Sequence, residues 1–466
     1  MKKIAMVIIM MISTLAISAQ DVIGSWHGLL KVSGIELRIS FNISQNNGVY
    51  SSTMDSPDQG AFGIAMTSTE INDNGVKITY AAASIVYNGT VKSNELITGT
   101  FTQGGMDIPL DLSRTLPEKE VVKRTQEPVK PYPYYSEEVK VDNKLDSVIL
   151  AGTLTLPSRE GKYPVVILIS GSGPQNRDEE LLNHKPFLVL SDYLTRNGIG
   201  VFRYDDRGTA SSTGNYNSAT TEDFARDVNA IVEYLMTRKE IDHAHIGLIG
   251  HSEGGIIAPM VASKSKDVSF IVMMAGTGIP GNELLLLQQE AILKVSGEKE
   301  AQIKEMTTFN KEIFNIILNE SNDDSITSQL TAYIKKVSKS NPEWMSSNKL
   351  DEESLIQMTV KSIDTPWMKY FIRHNPALVL QKVKCPVLAI NGSKDLQVPP
   401  KENLAAIKKA LDLAGNSKVT IKELPGLNHL FQECTTGNPS EYSQIDQTIS
   451  PVALEEICGW IKRTVL

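Results

Sequence analysis

The sequence predicts an α/β fold, in which a mostly parallel sheet flanked by helices carries a helical insertion and follows a small all-β domain. From Val139 onward, short apolar runs alternate with helix-length segments, the order that builds a parallel sheet with right-handed crossovers. Between about residues 278 and 380, charged amphipathic helical patterns replace this alternation. From residue 20 to residue 116, apolar residues recur at every second position, which is typical of half-buried strands.

The length and composition limit the kind of protein. A chain of 466 residues exceeds one ordinary hydrophobic core, so two or three folded units are expected. Hydrophobic residues make up 41% and charged residues 21%, which is the composition of a soluble globular protein. The net charge of -8, without any run of lysine or arginine, argues against nucleic acid as a partner.

Residues 1–19 have the pattern of a secretory signal peptide. The basic start at Met1-Lys2-Lys3 is followed by an almost wholly apolar stretch from Ile4 to Ala16 and by small residues up to Ala19. The apolar stretch is shorter than the roughly 20 residues of a membrane-spanning helix, so stable membrane insertion is not expected. We expect an exported protein, either periplasmic or secreted.

Residues 20–116 predict a small antiparallel β domain. The apolar residues from Ile35 to Ile43 alternate strictly with polar ones, and the stretch from Met106 to Leu112 repeats the pattern. Turn signals separate the strands at Asn47-Gly48, Asn74-Gly75 and Gly104-Gly105. A meander closed as a barrel or a sandwich is expected, and whether it binds a ligand or only packs stays open.

The segment 117–138 is charged and then rich in proline, which predicts a linker, and the second domain is predicted at residues 139–466. Strands are expected at Val148–Leu156, as an antiparallel lead-in, and at Tyr163–Ile169 and Gly200–Tyr204. The stretch from Thr220 to Asp223 resembles a capping box that starts a helix.

The most informative stretch runs from Ile246 to Gly255 and reads as a strand, a sharp turn and a helix. It contains a Gly-x-Ser-x-Gly pattern at Gly250, Ser252 and Gly254. Such a turn holds the serine in a strained backbone with its hydroxyl exposed, and it leaves no room for side chains two residues away. Ser252 is therefore the candidate nucleophile.

A serine hydroxyl needs a base to take its proton and a third group to hold that base. His429 is the candidate base because it is the histidine that follows the last predicted strand, at Lys418–Leu424. Asp395 is the candidate acid because it follows the predicted strand at Pro386–Ile390, and the order Ser, Asp, His is the one expected of a nucleophile elbow. Asp412 and Glu423 are the alternative acids.

The oxyanion of an acyl-transfer intermediate needs backbone N–H donors. One is expected from Glu253, directly after the nucleophile. The other is expected from the glycine-rich end of the strand Tyr163–Ile169, where Ser172 is the first candidate and Gly173 the second.

The helical insertion is predicted to cap the carboxyl edge of the sheet, where ligands bind in open α/β folds. An apolar acyl pocket is one interpretation of its large side chains, and ordinary core packing is the other. These side chains are Trp344, Met345, Met358, Trp367 and Met368. Of the three cysteines, Cys434 and Cys458 could pair, or all three could be free.

Five motifs together resemble the α/β-hydrolase superfamily, and within it the serine-aminopeptidase-like and esterase branch with an N-terminal β extension and a helical cap. The resemblance covers about residues 139 to 466. The motifs are Ser170-Gly171-Ser172-Gly173-Pro174, Arg203-Tyr204-Asp205-Asp206-Arg207-Gly208, Gly250-His251-Ser252-Glu253-Gly254-Gly255, Gly392-Ser393-Lys394-Asp395 with Val398-Pro399, and Asn428-His429. The resemblance implies that the segment from Asp205 to Gly208 braces the active site, and Ser170 departs from relatives that carry histidine there.

The predicted function is an exported serine hydrolase that cleaves short- to medium-chain acyl esters through an acyl-enzyme, without a cofactor or a metal. The alternative is a peptidase that releases N-terminal residues, in which Asp351, Glu352 and Glu353 would hold the substrate ammonium group. A third possibility is a non-catalytic scaffold that binds glycan or lipid. The partner expected in the first two cases is a small acyl ester or a short peptide.

Overall fold

A computed structural model describes most of the chain. The described residues are 22–32, 35–57, 61–72, 74–81, 85–103, 106–118, 124–340 and 352–465. Of these, residues 22–118 and 352–358 belong to one compact unit, and residues 124–340 and 359–465 belong to the other. The predicted signal peptide lies outside the described residues.

The first unit is built on one antiparallel sheet of ten strands, in the order β4-β3-β2-β1-β10-β8-β7-β6-β5, with β9 paired to β8. Near its ends, the hydroxyls of Ser52 and Thr69 lie 2.7 Å apart, so the sheet curls towards a barrel. The strands are β1 (Gly24–Val32), β2 (Ile35–Asn46), β3 (Val49–Ser56), β4 (Ala61–Ala65), β5 (Ser68–Asn72), β6 (Gly75–Tyr80), β7 (Ile85–Ser93), β8 (Leu96–Gln103), β9 (Met106–Pro109) and β10 (Leu112–Ser113).

The core of this sheet contains Trp26, Phe41 and Tyr87, each fully buried. The alternation predicted from Met106 to Leu112 is wrong at its first residue, because Met106 is 58% exposed. The two short strands β9 and β10 replace one continuous strand, so the first residue lies at an exposed edge.

The second unit contains a mixed sheet of eight strands in the order β11-β12-β14-β13-β15-β16-β17-β18. The pairs β11–β12 and β12–β14 are antiparallel, and all other pairs are parallel. The strands are β11 (Tyr135–Asn143), β12 (Val148–Leu156), β13 (Tyr163–Ile169), β14 (Gly200–Tyr204), β15 (Ile241–His251), β16 (Phe270–Met274), β17 (Val387–Gly392) and β18 (Val419–Leu424).

The sheet begins inside the segment predicted as a linker. Strand β11 starts at Tyr135, ahead of the predicted domain start at Val139. Its exposed and partly buried residues alternate, as expected of an edge strand that pairs on one side only. Charged residues occupy most of the exposed positions and interrupt the apolar pattern from which a strand is predicted. Upstream, Arg124 is 6% exposed and donates to the carbonyl oxygens of Ser443 and Ile445. These hydrogen bonds hold the start of the proline-rich stretch in place.

Helices cover both faces of the eight-stranded sheet. Along β13, Val166 and Leu168 pack with one group of helices, while Val165 and Ile167 pack with the other, which explains the unbroken apolar run of this strand. The helices within the described residues include α1 (Pro186–Arg196), α2 (Thr221–Leu235), α3 (Gly254–Ala262), α4 (Gly281–Val295), α5 (Glu300–Asn319), α6 (Asp323–Ser340), α7 (Glu352–Ile363), α8 (Pro366–Arg373), α9 (Pro376–Leu380), α10 (Pro400–Leu413), a 3-10 helix (Pro439–Gln444) and α11 (Pro451–Val465).

In its described residues, the insertion between β16 and β17 consists of helices joined by short loops and contains no strand, as predicted. The capping box at Thr220 is present at the start of α2, with Asp223 bonded back to the Thr220 amide. In the part of the chain that the structure describes, no helix combines the length and the apolar character needed to cross a membrane. The parallel strands β15, β17 and β18 end at one edge of the sheet, and the candidate site residues follow them there.

Candidate active site

The turn from Gly250 to Gly254, called the elbow below, places Ser252 between β15 and α3 in a strained conformation. Its φ angle is 54°, in the left-handed region that side chains seldom adopt. A Cβ atom on Gly250 would lie 1.9 Å from the carbonyl oxygen of Gly254, and one on Gly254 would lie 2.1 Å from that of Ile169. The glycines are therefore required by close backbone contacts.

His429 and Asp395 form a buried pair at the same edge. Nδ1 of His429 lies 2.8 Å from Oδ2 of Asp395, and the exposed fractions of the two residues are 4% and 2%. The other carboxylate oxygen, Oδ1, accepts the amide N–H groups of Gln397 and Val398, each at 2.8 Å. These amides fix the carboxylate, which in turn fixes the orientation of the imidazole ring.

The alternative acids lie elsewhere. The Asp412 side chain is 54% exposed and pairs with Lys408 one turn earlier on α10. Glu423 is exposed on β18. Of the three acids that the sequence offered, Asp395 is the one that contacts His429.

The glycine-rich segment after β13 approaches the elbow closely. A Cβ atom on Gly171 would lie 3.2 Å from Cβ of Ser252. The Gly173 amide donates to the hydroxyl oxygen of Tyr216 at 2.8 Å, so it is already engaged and does not suit the second oxyanion donor. Ser172 lines the same cavity as Ser252, and within the described residues no hydrogen bond occupies the amides of Ser172 and Glu253.

The acidic segment after β14 braces this glycine-rich segment. Asp206 accepts the hydroxyl of Ser170 and the amide of Gln175, one on each side of the glycines. Burial raises the pKa of Asp206 well above its usual range, even though these hydrogen bonds act in the opposite direction. Arg207 pairs with buried Asp227 at 2.7 Å and anchors the segment to α2.

A small cavity of about 60 Å³ opens at Ser252. Two larger clefts, of about 970 and 650 Å³, border α2 and do not contain the serine, so we place the chemistry in the small one. Its apolar walls come from α3, α4 and α8 and from the loop before α10. The lining residues are Ser172, Ser252, Glu253, Ile256, Thr277, Leu284, Leu285, Gln288, Trp367, Phe371, Gln397 and Val398.

The side chain of Glu253 adds a carboxylate that sequence reasoning missed. Its Oε1 atom accepts the hydroxyl of Thr221 at 2.7 Å and the indole N–H of Trp367 at 2.8 Å. Burial raises its pKa to about 6, against the effect of these two hydrogen bonds. Trp367 belongs to α8, so the hydrogen bond joins the helical insertion to the elbow.

The other predictions for the insertion have mixed outcomes. Trp367 lines the cavity, whereas Met368 packs among the helices of the insertion. Glu353, one of the acids suggested for binding an ammonium group, is exposed. Asp351, Trp344 and Met345, together with the side chains of Glu352 and Met358, lie outside the described residues. The proposed cysteine pair is absent, because all three cysteines are free.

The second unit has the architecture of an α/β hydrolase. A serine elbow follows the fifth strand of its sheet, and the acid and the histidine follow the last two strands. The family model described as "Serine aminopeptidase, S33" matches residues 187–433, which is more than half of the chain. The chain belongs to this family.

Named relatives are distant. The chain is 24% identical to esterase EstD of Thermotoga maritima over 316 residues, which are 67% of this chain and 65% of EstD. The esterase Pf2001 of Pyrococcus furiosus is 17% identical, with a TM-score of 0.43 over 75% of this chain and 98% of that chain. Est1E of Butyrivibrio proteoclasticus is 15% identical, with a TM-score of 0.40 over 70% of this chain and 99% of that chain.

Proposed function

We propose that this protein is a serine hydrolase that cleaves esters of short carboxylic acids through an acyl-enzyme on Ser252. The observation that carries the proposal is the buried His429–Asp395 pair, at 2.8 Å, on the sheet edge where the strained elbow presents Ser252. The family membership and the esterase relative support the same reaction class.

In the first step, the hydroxyl oxygen of Ser252 attacks the ester carbonyl carbon while Nε2 of His429 takes the hydroxyl proton. The negative charge that develops on the carbonyl oxygen is stabilised by the amides of Ser172 and Glu253. When the bond to the leaving group breaks, His429 returns the proton to the departing alkoxide. Asp395 accepts from Nδ1 of His429 and stabilises the imidazolium.

In the second step, water attacks the acyl-enzyme, and His429 takes one of its protons. The second tetrahedral intermediate collapses, the proton passes to Ser252, and the carboxylic acid leaves. Each step uses one base, one nucleophile and the same two amides, so these residues complete the cycle.

The cavity volume sets the acyl group. At about 60 Å³, the cavity is far smaller than the roughly 300 Å³ or more of pockets that enclose drug-sized ligands, which favours a small acyl group. Leu284, Leu285 and Phe371 close the cavity from the insertion. Acetyl to butyryl groups fit this space better than octanoyl.

The test is a chain-length series of nitrophenyl esters beside aminoacyl nitroanilides, with Ser252→Ala as the control. We expect kcat/KM to be highest for two- to four-carbon acyl groups and to fall about tenfold or more at eight carbons, because one misfitting methylene costs about 1–3 kcal/mol. Ser252→Ala is expected to lose about 10⁴-fold or more in kcat. Efficient ester turnover that survives this substitution would refute the mechanism.

A peptidase is the second candidate, and the family description is the observation that favours it. The nitroanilides in the same assay decide between the two: cleavage of aminoacyl anilides faster than esters would transfer the assignment to the peptidase.

We also propose that the protein is exported, on the strength of the signal pattern in residues 1–19. N-terminal sequencing of the mature protein tests this, with a new terminus at Gln20 expected. A mature chain that still begins at Met1 would contradict it.

A further inference from the structure

A buried histidine and a buried glutamate beside the nucleophile have no role in the two steps above. His251 directly precedes Ser252 and is 5% exposed, as is Glu179. Nδ1 of His251 lies 2.9 Å from Oε1 of Glu179, and Nε2 lies 2.9 Å from the backbone carbonyl oxygen of His429. The nucleophile segment therefore contacts the backbone of the candidate base through this ring.

The two contacts constrain the protonation of the ring. A carbonyl oxygen can only accept, so Nε2 of His251 carries a proton. Oε1 of Glu179 also accepts the Gly171 amide at 2.7 Å, and its 2.9 Å contact with Nδ1 of His251 requires a proton between the two atoms. With that proton on Nδ1, the ring is an imidazolium beside a carboxylate. Burial alone would lower the pKa of His251, but the charge and hydrogen bond of Glu179 raise it overall.

The pair connects three segments that are far apart in the sequence. Glu179 holds the glycine-rich segment through Gly171, His251 belongs to the elbow, and the His429 carbonyl belongs to the loop after β18. Glu179 has a φ of 51°, a strained backbone that costs on the order of 1–3 kcal/mol unless its surroundings enforce it. The strain places one carboxylate within reach of both the glycine-rich segment and the elbow.

We propose that His251 and Glu179 act as a charged positioning pair, which holds the loop that carries His429 at the elbow. The inference rests on the proposed function, because it assigns His429 as the base. His251 is a positioning residue, since it acts on the reaction through its bond to the His429 backbone.

The contact lies next to the ring of the candidate base. The rings of His251 and His429 lie 4.8 Å apart between centroids, and Asp395 faces His429 from the loop after β17. Loss of the bond to the His429 carbonyl is therefore expected to displace the ring that Asp395 orients.

Two substitutions separate the bond to His429 from the bond to Glu179. In His251→Gln, the side-chain amide reaches the Nε2 position and can still donate to the His429 carbonyl. In His251→Asn, the shorter amide reaches the Nδ1 position and can still bond Glu179, but the bond to His429 is lost. The control is His243→Asn, because His243 also bonds a backbone carbonyl at 2.9 Å, that of Arg238, but is exposed at the start of the same strand.

We expect His251→Asn to lower kcat about 10- to 100-fold with KM nearly unchanged, since a base displaced by about 1 Å can cost on the order of 10² in rate. His251→Gln should recover most of that loss. His243→Asn should change neither kcat nor KM. Equal losses in both His251 variants would overturn the inference.

A second measurement needs no variant and no substrate. In protein labelled with ¹⁵N-histidine, the NMR spectrum at a pH just above the ordinary histidine pKa should show both ring nitrogens of His251 protonated. A neutral His251 ring at that pH overturns the inference even if the variants do not fold. A wild-type protein without Ser252-dependent ester turnover would refute the proposed function instead, and the NMR result would still decide the charge state.

Discussion

Replacing Asp395 by asparagine tests the catalytic assignment through one atom. In the structure, Oδ1 of Asp395 accepts two amides, those of Gln397 and Val398, and Oδ2 accepts from Nδ1 of His429. Asparagine has one acceptor oxygen, and the two amides require it at the Oδ1 position. Its NH₂ group must then face Nδ1 of His429.

That arrangement reverses the tautomer of the base. An NH₂ group donates, so Nδ1 of His429 has to accept, and its proton moves to Nε2. A proton on Nε2 leaves no lone pair to take the Ser252 hydroxyl proton. In a serine protease with a Ser-His-Asp triad, the same substitution costs about 10⁴ in kcat, and we expect a similar factor here, equivalent to about 5 kcal/mol of lost transition-state stabilisation.

The assay is kcat for a short-chain nitrophenyl ester, with thermal unfolding measured in parallel. Asp412→Asn is the matched control, because Asp412 is an exposed aspartate in the same unit and pairs only with Lys408 on the surface in the described contacts. Its kcat should stay within about twofold of wild type, as expected for a surface pair worth less than about 1 kcal/mol. A folded Asp395→Asn variant that keeps more than about a tenth of wild-type kcat would refute the reasoning.

Two further predictions concern stability and the elbow. Burial raises the pKa of Glu253 from 4.5 to about 6. Between these two pH values, the folded chain therefore holds a proton that the unfolded chain releases. The stabilisation that this proton provides is present at low pH and is lost as the pH rises through about 6. In urea unfolding, the free energy of unfolding should decline by about 2 kcal/mol as the pH rises from 4.5 to about 6. Glu253→Gln should remove this decline, and the exposed control Glu423→Gln should keep it. An unchanged decline in Glu253→Gln would contradict the prediction. Gly254→Ala should abolish activity or folding, because its Cβ atom would lie 2.1 Å from a backbone carbonyl oxygen. Gly459→Ala in α11 is the control. Its Cβ atom would meet only the flexible end of Arg463, at 3.2 Å, so this substitution should be tolerated. Thermal unfolding and ester turnover compare the two, and an active, stable Gly254→Ala protein would exclude a tight elbow.

The main parts of the candidate site could be predicted from the sequence because each of them follows a recognisable strand. Ser252, Asp395 and His429 come after three apolar runs, and parallel strands bring their carboxyl ends to one sheet edge. The glycines around Ser252 were equally readable, since the backbone contacts at the elbow exclude any side chain.

Side-chain partners far apart in sequence could not be read in this way. Glu179 and His251 are separated by 72 positions, and no spacing rule links them. From its position in the sequence, the Gly173 amide could donate to an oxyanion. In the fold it donates instead to the hydroxyl oxygen of Tyr216, which follows β14. Local patterns predict where a strand ends, but not which distant group its loop will meet.

The same limit applies to the edges of both sheets. Met106 continues an alternating pattern and is nevertheless exposed, because the strand it begins is only four residues long. Tyr135–Asn143 is an edge strand that follows a stretch with three prolines. Its charged residues interrupt the apolar alternation, so its first residues are predicted as part of a linker. Edge strands pair on one side, so burial constrains their sequences less.

The most direct test of the central claim is detection of the acyl-enzyme. The protein is mixed with a short-chain nitrophenyl ester, quenched in acid within the first turnover and digested for peptide mass mapping, with Ser252→Ala treated in parallel. The account predicts one added acyl group on Ser252, absent from the variant. Acylation of another residue, or rapid turnover with Ser252 never modified, would contradict it.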